Sequence, residues 1–297
     1  MEAKRFLYRD KNNIMAYLYI SPFYILYAIF GIYPILFSAV MSFSNYSTTK
    51  GFNKYVGLKN YATVFSDPIF WRALWNTLWF VVFNIPFLLF CALVVAAILN
   101  NNNVKGRKFF QLSLLLPYVT SSIAYTIVFA ILFDTHFGLI NGFLGKFGIV
   151  PIPWLTSPDW TKITINLVLI WAWTGYNMLI VLGGIQNIGQ ELYEAAIVDG
   201  ASSLVCFLKI TIPLLRPVIY FILITSTIGT FGIFNEPYIF VGGMGGADNA
   251  AITLNLYLYN QSFYNMRLPV GAATSFVIFF IIFIFSLPQI RRAFRDS

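Results

Sequence analysis

Residues 73–99 read ALWNTLWFVVFNIPFLLFCALVVAAIL, and no Asp, Glu, Lys, Arg or His interrupts them. A helix crosses the ~30 Å hydrocarbon core of a bilayer with ~20 apolar residues. This run exceeds that length and does not alternate, so it reads as a membrane-spanning helix and not as a barrel strand. Outward from it lie five more runs of the same kind, at residues 14–43, 109–133, 163–188, 215–241 and 268–290. The expected fold class is all-α, a polytopic membrane protein with six transmembrane helices. The six-span domain covers residues 14–290, after a short segment 1–13 and before a basic tail 291–297.

Composition agrees. The chain is 59% hydrophobic, 19% aromatic and 10% charged, with a mean hydropathy of +0.74. Soluble domains carry ~25% charged residues. A net charge of +8 invites a nucleic-acid reading, but the basic residues flank apolar runs and form no stripe with interleaved aromatics. No nucleic-acid partner is expected, and membrane lipid is the expected surround. Lys4, Arg5, Arg9 and Lys11 precede the first run, as in a signal peptide. That run is longer than the ~7–15 residues of a signal-peptide core and no A-x-A site follows it, so it reads as a retained span.

Lys and Arg set the orientation. With the N-terminus inside, twelve basic residues fall on the cytoplasmic side and seven outside. The first outer loop dissents with Lys50, Lys54, Lys59 and Arg72, but the short inner loop with Lys105, Arg107 and Lys108 and the tail with Arg291, Arg292 and Arg295 outweigh it. Both termini are expected in the cytoplasm.

The outer loops carry no catalytic chemistry. Ser66-Asp67-Pro68 reads as a helix start, and Phe70, Trp71, Leu74 and Trp75 as an interfacial aromatic face. The second outer loop is dense in Gly and Pro and holds the lone His136, with no partner at metal-ligand spacing. Cys91 and Cys206 match neither a disulfide nor a metal pattern. Gly242-Gly243-Met244-Gly245-Gly246 lacks the Lys-Ser/Thr of a phosphate loop. No cofactor is expected in this chain, so an ATP-driven process would need a separate ATPase holding the ATP and Mg²⁺.

The connection 189–214 differs from the other loops. It reads as two short helices, with Glu191 and Glu194 in the first turn of the first, Gly200 at the turn, Ser202 or Ser203 capping the second and Pro213 ending it. Helix–helix links are commonly ~2–8 residues, so this segment looks like a docking surface.

Glu194-Ala195-Ala196, Asp199-Gly200-Ala201, Phe207, Ile210 and Ile212-Pro213 resemble the EAA loop of binding-protein-dependent ABC permeases. Val56-Gly57-Leu58-Lys59-Asn60-Tyr61, Asp67-Pro68-Ile69-Phe70-Trp71, Asn76-Thr77, Leu116-Pro117 and Gly138-Leu139-Ile140-Asn141 resemble the carbohydrate branch. In particular they are similar to the first permease subunit of maltose, lactose, raffinose and glycerol-phosphate importers. The loop where many relatives have Gly-Gly-Pro reads Gly242-Gly243-Met244 here. The resemblance implies a type I ABC importer permease fold in a bacterial cytoplasmic membrane. It implies a second, homologous permease, two ATPase subunits and an extracellular or periplasmic solute-binding protein. It also implies that Glu194, Ala195, Ala196, Asp199, Gly200, Ala201, Phe207, Ile212 and Pro213 couple the chain to an ATPase, with Glu194 facing a basic group there.

Sugars are read by hydrogen-bonding groups beside aromatic faces. Near mid-span the candidates are Ser121, Ser122 and Tyr125 on the third span, Trp171, Trp173, Thr174, Tyr176 and Asn177 on the fourth, and Ser226, Thr230, Phe231, Phe234 and Asn235 on the fifth. Tyr176 and Asn177 lead by depth and polarity. Each has a bland alternative as a helix-packing residue. Glu236 lies near the outer end of the fifth span, as a pore-lining or an interfacial group. Three rivals stand against a sugar importer. An ion-coupled carrier would place ionisable groups at mid-span, where none lies. A membrane enzyme would need convergent catalytic groups. A polyol or glycerol-phosphate-type cargo stays open within the ABC class.

Overall fold

The computed structural model describes residues 15, 17–47, 51–101 and 103–295. Segment 1–13 with its four basic residues, Ile14, Lys50 and the last two residues of the tail lie outside the described residues. Two units are distinguished, one of residues 1–64 and 261–276, the other of residues 65–260 and 277–297.

In the first unit, helix α1 covers Tyr17–Ser42, and none of its most apolar stretch is buried. Pro34 has no N–H to continue the ladder, and the chain answers with a π turn over Ala28–Ile32, where Tyr33 N–H reaches the Ala28 carbonyl. An antiparallel hairpin follows, β1 Ser44–Ser47 and β2 Gly51–Tyr55. Phe52 packs edge-on against Phe37 and Tyr46, and Asn60 donates to the Ser42 and Ser44 carbonyls at 2.8 and 2.9 Å. Asn60 thereby pins the start of helix α2, Lys59–Ser66.

The second unit holds the bundle. Helix α3 runs Pro68–Asn100. The Asp67 side chain accepts from Ile69 N–H at 2.9 Å, a cap that stabilises by ~1 kcal/mol, and Pro68 occupies the first turn where a missing N–H costs nothing. The run read as one span over 109–133 is a broken helix. Its halves are α4, Arg107–Val119, and α5, Ser122–Leu132, bent by 96°. The polar run Thr120-Ser121-Ser122 offers the backbone alternatives to the ladder, and Thr120 Oγ1 donates back to the Leu116 carbonyl at 2.8 Å. Helix α6, Leu139–Gly145, carries Asn141, which pins the Gly- and Pro-rich loop. Its Nδ2 donates to the Thr135 and Ile152 carbonyls, and its Oδ1 accepts from Ile152 N–H and Trp154 Nε1.

Helix α7, Pro158–Gln186, packs on α3 and α4. At Gly175 a Cβ would lie 1.8 Å from the Leu114 carbonyl oxygen, so only glycine permits that approach. Buried Asn84 of α3 donates to Asn166 of α7 at 3.0 Å. Then come α8, Gln190–Val198, α9, Ser203–Leu214, and α10, Arg216–Phe231.

The fifth run is also interrupted, because α11 restarts at Asn235–Val241. In a continuous helix the Pro237 ring would strike the Ile233 carbonyl. The chain opens at residues 232–234 instead. Asn255 Nδ2 and Thr253 Oγ1 donate to the Gly232 and Ile233 carbonyls at 3.0 and 2.9 Å. Both donors come from the segment around α12, Leu254–Tyr259. Helix α13, Leu268–Arg295, ends the chain. Among the described residues five helices are long and apolar enough to span a bilayer, and six spans result if α4 and α5 count as one.

Candidate substrate path and coupling face

Irregular backbone at membrane depth is tolerated only where it is buried in protein or lines a cavity. The break between α4 and α5 does line one. A space of about 350 Å³ is bounded by Pro117, Tyr118, Thr120, Ser122, Tyr125, Ala172 and Trp173. Aromatic faces and hydroxyls therefore converge there without a cation. Tyr118 stacks on Tyr176, with centroids 4.4 Å apart and planes at 17°, and meets Trp173 edge-on at 5.3 Å.

Two bonds reach this cavity wall from α11. Tyr125 donates its O–H to Glu236 Oε1 at 2.5 Å, and Asn235 Nδ2 donates to Ser122 Oγ at 2.7 Å. Glu236 is 5% exposed. It is not among the lining residues of this cavity. An unpaired carboxylate at such a depth would be costly, and the Tyr125 phenol supplies a partner.

A smaller space of about 60 Å³ lies between α3, α7 and α10. Asn84, Trp173, Tyr176, Asn177, Thr225 and Thr230 are among its walls. Asn177 Nδ2 bonds the Trp173 carbonyl, while its buried Oδ1 has no protein partner. A space of this size admits water, the usual partner of such an atom.

The sequence candidates thus divide. Tyr125 and Trp173 line the larger space, and Trp173, Tyr176, Asn177 and Thr230 line the smaller. Asn235 acts on the wall through Ser122. Phe231 lines neither space: it is fully buried and packs against Phe285 at 5.5 Å. Phe234 also lines neither, and forms an aromatic trio with Tyr238 and Tyr259 at 5.3 and 5.0 Å. Its backbone sits in the break, which turns the ring towards α12. Tyr118 and Thr120 were missed. The signal for them was Pro117 followed by a polar run inside an apolar span.

At the other site, α8 and α9 form a helical hairpin. Gly200 has φ of +77°, Ala201 N–H bonds the Ala196 carbonyl and Gly200 N–H the Ile197 carbonyl. This closes α8 in a Schellman turn. Ser202 caps α9 by accepting from Val205 N–H at 3.4 Å, and Tyr193 meets Thr211 at 2.9 Å across the hairpin. Only Glu191 lies in the first turn of α8. Glu194 lies a turn later, because the helix starts at Gln190. Pro213 withholds an N–H and forces a π turn over Phe207–Thr211 ahead of it. Glu194, Ala195, Asp199 and Gly200 are exposed, and Ala196, Ala201, Phe207, Ile212 and Pro213 half-buried. Apolar groups stand out beside the charges: Val198 is 87% exposed, and Ile197 and Leu204 are each 66% exposed. Such a patch marks an interaction surface.

Long apolar helices, broken spans beside a mixed polar cavity and an exposed helical hairpin together define a polytopic membrane permease. The chain belongs to the family described as "Binding-protein-dependent transport system inner membrane component", whose profile matches residues 61–296. It is 41% identical over 285 residues to the lactose transport system permease protein LacF of Rhizobium radiobacter, covering 95% of this chain and 94% of that one. It is 36% identical over 293 residues to the arabinooligosaccharides transport system permease protein AraP of Bacillus subtilis (strain 168), covering 97% and 92%. A chain of a bacterial ABC transporter involved in alginate import superposes with a TM-score of 0.86 at 23% identity, covering 97% of this chain and 98% of that one. The fold is that of a type I ABC importer permease.

Proposed function

We propose that this chain is one of two permease subunits of an ATP-driven importer for a neutral oligosaccharide, which passes through the cavity beside Tyr118, Ser122, Tyr125 and Trp173. The observation that carries the reading is the convergence of stacked rings and hydroxyls at a break in a span. Relatives named for lactose and arabinooligosaccharide transport support the cargo class. A glycerol-phosphate-type cargo is disfavoured, because no Lys or Arg lines the cavity and Glu236 lies behind Tyr125. A solute-binding protein delivers the sugar outside. Two ATPase subunits, holding ATP and Mg²⁺, dock on the inner face. Both termini lie in the cytoplasm, as does the α8–α9 hairpin. Its exposed Glu194, Asp199 and apolar tips fit a cleft on one ATPase. Closure of the ATPases then switches the permease pair between inward- and outward-open states.

The test is ATP hydrolysis in lipid vesicles by the chain co-assembled with its neighbouring permease, ATPase and binding protein. Stimulation by one sugar, lost in Gly200→Asp and reduced in Glu194→Ala, supports the reading. Sugar movement by this chain with no ATPase present overturns it in favour of an ion-coupled carrier.

A further inference from the structure

The hydroxyls around the cavity already have assigned partners. Tyr125 gives its single proton to Glu236. A phenol so engaged offers the cavity only oxygen lone pairs. Thr120 gives its proton to the Leu116 carbonyl, so it too presents lone pairs. Ser122 is the reverse case. Its oxygen accepts from Asn235, and its proton is left to donate. Glu236 and Asn235 are consecutive residues at the start of α11, on a different span from the hydroxyls they engage. They stand 111 and 113 positions along the chain from Tyr125 and Ser122.

We infer that Glu236 and Asn235 are positioning residues that set the hydrogen-bond polarity of the cavity wall, making Tyr125 an acceptor and leaving Ser122 a donor, beside Thr120, which its own helix makes an acceptor. The inference rests on the cavity reading above and adds a specificity rule to it. A favoured cargo turns hydroxyl protons toward Tyr125 and Thr120 and an ether or hydroxyl oxygen toward Ser122. A neutral glycan does both. A phosphate or carboxylate brings proton-free oxygens to Tyr125, which is buried, and is refused there, because a buried acceptor facing an acceptor leaves both unpaired. The same two bonds tie α11 to α5. The fifth span therefore controls what the third span presents.

The test uses the whole importer in detergent without its binding protein, so that the readout belongs to the permease. Binding of lactose, arabinotriose, maltose and raffinose, and of monodeoxy analogues of the best of them, is followed by saturation-transfer NMR. Glu236→Leu is expected to weaken binding ~5-fold, about one hydrogen bond. Glu236→Gln keeps an acceptor for the phenol proton and stays within ~2-fold, since the geometry of the bond is preserved. One deoxy analogue loses ~5-fold against wild type but little further against Glu236→Leu, the non-additivity expected when both changes remove one contact. Asn235→Leu behaves likewise for a different position on the sugar.

A merely structural Glu236 would lower the yield of folded complex and leave the deoxy discrimination of the surviving protein intact. That result overturns the inference. If Tyr118→Ala and Ser122→Ala bind sugar as wild type does, the cavity reading itself fails. If none of the four sugars binds, the cargo reading fails, and the polarity rule fails with it.

Discussion

The α8–α9 hairpin and the cavity at the break of the third span are built in opposite ways. The hairpin is local: its turn, cap and cross-bond join residues within 18 positions of one another. The cavity wall depends on partners more than 100 positions apart. Local construction leaves the hairpin exposed and self-sufficient, suited to being pushed as a unit. Distributed construction makes the cavity sensitive to how whole spans sit, suited to opening and closing. On the function proposed above, the difference teaches that force would be received on a preformed element and cargo read by an assembled one.

Two changes would break or sharpen this contrast, and a third, outside both regions, is a control for it. The largest effect is expected for Gly200→Val. A β-branched residue at φ of +77° is strained by ~1–2 kcal/mol or more, and the Schellman turn that sets the angle of the hairpin is lost. Sugar-stimulated ATP hydrolysis should fall at least about tenfold, while sugar binding to the importer holds, because the cavity shares nothing with that turn. Equal loss of both would mean the two regions are not separately built. Next comes Tyr118→Ala, which removes the ring stacked on Tyr176. Aromatic pairs contribute ~0.5–1.5 kcal/mol, so sugar affinity should drop ~3–10-fold with basal hydrolysis unchanged. An unchanged affinity would place the cargo elsewhere.

The smallest effect lies in the loop between α5 and α6, outside both regions. The backbone N–H groups of Phe137 and His136 hold the Asp134 carboxyl below its ordinary value. A group depressed in the folded state stabilises above its unfolded pKa, and that contribution is lost as pH falls through the folded value. Thermal unfolding at acid pH should therefore be slightly less pH-dependent in Asp134→Asn, with transport at neutral pH unaffected. Exposure keeps the effect small.

How much of this was legible in the sequence follows the same division. Gly200 and Ser202 declare the hairpin because their roles depend on neighbours a few residues away. The spans declare themselves by length and hydropathy. The two breaks did not, although each run contains a proline. Pro86 shows why proline alone is insufficient: it sits inside α3, which continues unbroken to Asn100. Pro237 accompanies an opening of the chain where Thr253 and Asn255 take up the carbonyls released at 232 and 233. Those donors lie some twenty residues downstream, and no local window pairs them with the break. Phe231 lies apart from both spaces for a related reason. Its ring points to Phe285, and with the helix ending at Phe231 the facing pattern of α10 does not continue into Phe234 and Asn235.

Gly175 has one consequence for motion. Its backbone lies so near Leu114 that not even a methyl group fits between α7 and α4. Rods in such contact cannot slide or roll past each other without parting, so the pair should move as one lever. A cross-link between the two rods should therefore leave turnover running.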